Sequence, residues 1–317
     1  LSFSLGISIY PDDEIDKSNL IKDAYMAMHK AKRKVENRYH FFEAGLIKEK
    51  TLNNAKLNME SELRKAIDNN DFILNYQPQI DLYNGEIAGF EALIRWNHKE
   101  LGKISPAEFI PLAEETGLIK DIGKWVLKTA CQQMRIWEEE GYKPMRMAVN
   151  VSIHQLRDHN FVNEVEQIIN ESGLDASHIE LEITENIMRN LDELEIILNE
   201  LKDIGVKISV DDFGTGYSSL SVIQGLPINT LKIDQSFINK STADSRSAAL
   251  VKTIIDMGRN LDLDIIAEGI EEREQVELLK ENNCRIGQGF LFSKPLPVSE
   301  IADMLDFNNS GFILETM

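Results

Sequence analysis

The chain has 317 residues, 43% hydrophobic and 27% charged, enough for one large domain or two smaller ones with a well-solvated surface. Its 53 acidic against 34 basic residues leave a formal charge of −19, which argues against DNA or RNA as a partner, because wrapping nucleic acid needs a basic face. No apolar run approaches the roughly 18 residues that span a bilayer, and LSFSLGISIYP lacks the basic lead of a signal peptide.

The fragment is therefore expected to be cytoplasmic, with no membrane contact of its own. It begins at Leu1 rather than Met, so it is expected to be cut from a longer protein, with any sensor or membrane anchor lying upstream. Residues 1–45 read as strand, turn, helix. SFSLGISIY alternates apolar residues at period two, PDD punctuates, and SNLIKDAYMAMHKAKRK has helical spacing after a Ser18 cap. This is too little chain to bury a core alone. The basic run His29–Arg38 is read as the solvated side of a helix rather than a phosphate-binding arm. Residues 46–58 are expected to be a helical linker, within the charged amphipathic stretch LIKEKTLNNAKLNMESELRKAID.

From about Asp71 the rhythm changes. FILNYQPQI, GEIAGFEALIRW, RMAVNVS, HIELEIT, VKISVDDF, TLKIDQ, DIIAEGI and CRIGQGF read as strands, mostly separated by long amphipathic helices such as GLIKDIGKWVLKTACQQMRIWEEEG. Eight strands with intervening helices predict an α/β fold, a (β/α)8 barrel of the TIM type. The short turn YNG joins the first two strands and predicts that they pair antiparallel. A doubly wound open sheet is the alternative, but no Gly-rich dinucleotide loop follows the first strand. Cys131 and Cys284 fit no metal spacing and read as reduced thiols, and the six histidines form no zinc motif.

In such barrels chemistry sits where strands end. Glu91, Asn150, Glu182, Asp211, Asp212 and Glu268 each follow or interrupt an apolar run. Charged groups so placed are costly unless paired, and a ring of them repels itself unless cations intervene. An oxygen-only ligand set suits Mg2+ or Mn2+, with Ca2+ tolerated by size, and adjacent Asp211 and Asp212 resemble a bridge between two ions. Helix capping and ion pairing are the ordinary alternatives. Lys232, the one cation at such a strand end, is either an ion-pair partner or a group that steadies water or a phosphate oxygen. Gly214 and Gly216 permit positive φ, and Ser218 is expected to cap a helix.

These pieces, in this order, resemble the EAL domain family of cyclic di-GMP phosphodiesterases. YQPQIDL, EALIR, AVNVS, ELEITEN, DDFGTGYSSL, LKID, AEGIE and QGFLFSKP follow one another between about Met59 and Asp306. The resemblance implies a barrel over 59–306, a tail over 307–317, and hydrolysis of cyclic di-GMP to linear pGpG with two Mg2+ or Mn2+ ions; Ca2+ would bind without supporting turnover. It implies that Glu91, Asn150, Glu182 and Asp211 hold the first ion. Asp211 and Asp212 share the second, with Glu268 as ligand or general base. Lys232 would hold water or the scissile phosphate. Gln77, Arg95, Asp234, Glu271 and Gln288 would line the guanine and phosphate sites, and Pro295 would close the rim. Glu185 would anchor the DDFGTG loop, through which the family forms homodimers. Two departures are minor: Phe290 stands where Tyr is common, and Gln79 replaces a usual aliphatic residue. Residues 1–45 resemble the end of a GGDEF domain, the diguanylate cyclase fold, without its signature. Rival readings are a silent cyclic di-GMP receptor, a pure scaffold and a two-carboxylate glycosidase.

Overall fold

The computed structural model describes residues 5–10, 20–21, 23–25, 27–28, 31, 39–42, 58–69, 71–185, 191–215 and 220–309. The chain divides into two compact units, Leu1–Lys65 and Ala66–Met317. In the first, the strand Leu5–Ile7 pairs in parallel with Tyr39–Phe41, and Ala27, Ala31 and Phe42 are buried. The second of these strands was not expected from the sequence. A Cβ at Gly6 would collide with the Ala24 carbonyl and Met28, so helix and strand meet there only because the residue is glycine. The expected Ser18 cap, and residues 43–57 within and beside the expected linker, lie outside the described residues.

The larger unit is a closed barrel of eight strands: β1 (Phe72–Asp81), β2 (Ile87–His98), β3 (Arg146–Asn150), β4 (Ile179–Thr184), β5 (Lys207–Phe213), β6 (Thr230–Ile233), β7 (Asp264–Ala267) and β8 (Ile286–Gly287). They neighbour one another in chain order, and the barrel closes where β8 pairs with β1. β1 is antiparallel to both of its neighbours, and β2 through β8 run parallel. The short connection follows from the turn chemistry: Asp81 Oδ1 accepts from the Tyr83 and Asn84 amides, and Gly85 takes φ 75°. Pro78 cannot donate to a ladder. It falls between the two short stretches that pair with the other edge of β1, Ile286–Gly287 and Leu296–Pro297.

Helices on the outer face bury their apolar stripes against the strands. Ile119–Glu139 carries the clearest one, with Ile122, Val126, Ala130, Met134 and Trp137 at helical spacing and all buried. Trp137 packs 5.2 Å from Tyr76 and 5.0 Å from Phe90, centroid to centroid, so this helix locks onto β1 and β2. Among the described residues no helix is long and apolar enough to cross a membrane.

Strand alternation puts residues two apart on one face. Gln77 and Gln79 on β1, Glu180 and Glu182 on β4, and Thr230 and Lys232 on β6 are therefore same-face pairs, and all six are buried. The barrel interior accordingly holds two polar layers, one at the mouth and one below it.

Candidate active site

The mouth is organised around Lys232, which is fully buried. Its Nζ lies 2.8 Å from Glu182 Oε2, 2.8 Å from Glu268 Oε1, 3.4 Å from Asp211 Oδ1 and 3.5 Å from Glu91 Oε2. The four carboxylates come from β2, β4, β5 and the residue after β7. Repulsion among them is thus partly relieved by a cation the chain itself supplies. One ammonium does not balance four carboxylates, and the cluster keeps a formal excess of negative charge wherever they ionise.

Two of these acids hold their protons more tightly than usual. Burial pushes the Glu268 carboxyl up to about 8, with Asp211 and Glu91 adding to the effect and Lys232 opposing it. Burial likewise raises Glu182 well above the ordinary carboxylate range, against the pull of Lys232. Burial also acts upward on Glu91, but Lys232 and hydrogen bonds from Gln288 and Asn150 outweigh it and keep the group below its usual range. Lys232 loses from burial and gains more from Glu182, Glu268, Glu91 and Asp211, so it stays charged.

Asp211 and Asp212 would face opposite sides of a regular strand. They reach one site because the register of β5 against β6 shifts between Val210 and Phe213, and Asp212 takes φ 55°. An irregularity of this kind re-aims side chains beside a site. Burial, then Asp211, raises Asp212 to about 6. Asp211, Asp212 and Glu268 each offer an oxygen within 4.8 Å of the others, a spacing that a divalent cation fits. Asn150 Nδ2 donates to Glu91 Oε1 at 2.7 Å, which leaves the Asn150 carbonyl as a free acceptor of the kind hard cations take.

Gln288 Nε2 donates to Glu91 Oε2 at 2.6 Å and to Gln77 Oε1 at 3.1 Å, and Gln77 Nε2 donates to the Ser293 carbonyl, so these two amides join the cluster. Asp234 caps the helix Gln235–Ser241 through the Ser236 amide and also influences Asp212. The Glu185 carboxylate accepts from the Gly214 amide at 2.9 Å, with Gly214 at φ 98°; Gly216 and Ser218 lie outside the described residues. Further out, Pro295 accepts from Asn75 through its carbonyl. Glu271 is exposed, and only its backbone amide, which donates to Gln275 Oε1, has a described bond.

Beside the cluster opens a cleft of about 680 Å³, lined mainly by apolar residues including Leu93, Ile94, Ile110 and Ile153, with Arg95 and Asn150 on its wall. Its size and mixed lining suit a ligand with flat apolar rings and a few polar edges. Within it Ser152 donates to Glu114 Oε1 at 2.6 Å. Sequence reasoning passed over Glu114. It also passed over Arg146 and Glu180 in the layer below, and treated Gln79 only as a departure. The doublets Gln77-x-Gln79 and Glu180-x-Glu182 were the available signal. Cys131 and Cys284 are free and buried, which pushes both thiols up to about 12.

Residues 60–295 match the family described as EAL domain. The chain is 42% identical over 302 residues to the bifunctional diguanylate cyclase/cyclic di-GMP phosphodiesterase MucR of Pseudomonas aeruginosa, covering 95% of this chain and 44% of that protein. It is 39% identical over 306 residues to the cyclic di-GMP phosphodiesterase NbdA of the same organism, covering 96% and 39%. The chain therefore spans about two fifths of the length of these curated relatives. Among solved structures, the PaMucR phosphodiesterase in complex with c-di-GMP superposes with a TM-score of 0.74 at 44% identity, over 77% of this chain and 99% of that one. The EAL domain of Mycobacterium smegmatis DcpA gives 0.64 at 33% identity, over 74% and 96%.

Proposed function

The chain belongs to the EAL domain family, and on that footing we propose that it hydrolyses cyclic di-GMP to linear pGpG with divalent cations at the barrel mouth. The observation that carries the reading is the surplus of carboxylate around Lys232, four acids within 3.5 Å of one ammonium, beside a cleft large enough for a nucleobase. The relatives named as cyclic di-GMP phosphodiesterases support the choice of substrate.

Glu91, Asn150, Glu182 and Asp211 would hold one ion, and Asp211 and Asp212 would share a second, with Glu268 beside it as ligand or general base; only hard oxygen ligands are offered, which favours Mg2+ or Mn2+. Bound there, such ions supply positive charge that polarises a phosphoryl oxygen and makes water a stronger acid. Glu268, ionised once cations are held beside it, takes the proton from the attacking water. Lys232 keeps its charge and offers it to the phosphoryl oxygens as negative charge builds on them. Water forms a bond to phosphorus, the P–O3′ bond breaks, the departing ribose oxygen takes a proton from solvent, and the ring opens to a dinucleotide with a 5′ phosphate. Arg95 and the apolar cleft orient one guanylate half. Residues 1–45 are read as the end of a GGDEF domain, supported by a match to MucR that covers 95% of this chain.

Incubation with cyclic di-GMP and Mn2+, followed by chromatography, tests the reading. It expects pGpG, and none when the ions are chelated. Cyclic di-GMP bound yet uncut in Mg2+ and Mn2+ would overturn it in favour of a receptor.

A further inference from the structure

Beneath the mouth, four side chains form a connected set inside the barrel: Gln79, Arg146, Glu180 and Thr230, all buried. Arg146 Nη1 donates to Glu180 Oε2 at 3.2 Å and Nη2 donates to Gln79 Oε1 at 3.1 Å, while Thr230 Oγ1 donates to Glu180 Oε2 at 3.0 Å. A guanidinium has donors only. Gln79 must therefore turn its carbonyl towards Arg146, which leaves its NH2 facing upward, 3.2 Å from Gln288 Oε1. With its carbonyl so engaged, Gln288 must present its own NH2 to the mouth, where it donates to Glu91 Oε2 at 2.6 Å and to Gln77 Oε1 at 3.1 Å.

An amide has one donating and one accepting end, so a direction imposed at Arg146 passes through both glutamines without loss. Turned over, Gln288 would bring a carbonyl oxygen against a carboxylate oxygen at 2.6 Å, a contact between two acceptors.

We propose that Arg146 and Gln79 are positioning residues for the metal site: they fix the orientation of Gln288, which in turn holds Glu91 in place to ligate a cation. The proposal rests on the reading of Glu91 as a ligand.

Two variants of Gln79 separate direction from packing. Gln79→Glu keeps the size and the bond to Arg146 but removes the donor, so Gln288 turns its NH2 downward and its carbonyl towards Glu91. Mn2+ affinity, measured by calorimetry on the nucleotide-free protein at pH 8, should fall about tenfold or more, the usual cost of disturbing a ligand's support. Gln79→Met fits the space without either bond and leaves Gln288 free to choose, so its loss should be smaller. In turnover assays both should raise the Mn2+ concentration for half-maximal rate more than they raise KM for cyclic di-GMP. Native uptake of Mn2+ with both variants within about twofold of it overturns the relay, even if their melting temperatures drop. A native chain that takes up no Mn2+ overturns the metal reading, and this proposal with it.

Discussion

The two polar layers of the barrel interior share β1, β4 and β6, where their residues lie two positions apart, and they balance charge differently. In the lower layer Arg146 faces one acid, Glu180, and Gln79 and Thr230 complete the bonding. In the upper layer Lys232 faces four acids. β4 contributes Glu180 to one and Glu182 to the other, and β6 contributes Thr230 and Lys232. Surplus negative charge is therefore not a property of this barrel's interior. Among the described residues it is confined to the mouth layer, where Asp211, Asp212 and Glu268 are spaced to take an added cation.

Substitutions can break or sharpen that contrast. The largest effect should come from the mouth. Glu268→Gln removes the proton acceptor while keeping its shape, and turnover should fall by about 10²–10⁴-fold. Cyclic di-GMP binding measured in Ca2+ should change little. A near-native rate of pGpG formation would remove Glu268 from the chemistry.

Cation removal compares the layers directly. Lys232→Met and Arg146→Met each leave buried acid unpaired, and each should cost the ion-free protein about 3–5 kcal/mol in denaturant melts. Saturating Mn2+ should restore much of the loss at Lys232, because an ion can take the place of the ammonium among the same oxygens, and little of the loss at Arg146. Equal recovery at both positions would erase the distinction between the layers. The smallest effect belongs to Thr230→Val, which deletes one neutral bond to Glu180. It should cost about 1 kcal/mol of stability and leave kcat unchanged; a clear loss of kcat would mean the lower layer acts on the chemistry through more than the glutamine chain.

Much of the fold was legible in the sequence because its determinants are local. Alternating apolar runs marked the eight strands, and the YNG turn marked the antiparallel start. Lys232 was visible as a cation at a strand end, but its four partners lie on strands distant in sequence, and alternation says nothing about which side chains converge. The shift in β5 was hidden for another reason. Nothing in KISVDDF states that Asp212 adopts φ 55°, although adjacent aspartates that both serve one site require some break in the pleat. The strand Tyr39–Phe41 was missed because three residues carry too short a pattern to read.

Surplus negative charge at the mouth is what an added cation would balance. Near neutral pH the ion-free site holds protons, since Glu268 lies near 8 and Glu182 is also raised. A cation needs those oxygens ionised, so its uptake must expel protons and tighten as pH rises from 6 towards 8. Calorimetric titration of the protein with Mn2+ at pH 7, in two buffers of different ionisation heat, measures that release. The prediction is a net release of protons with affinity increasing towards pH 8; Mn2+ uptake with no proton release and no pH dependence would contradict it.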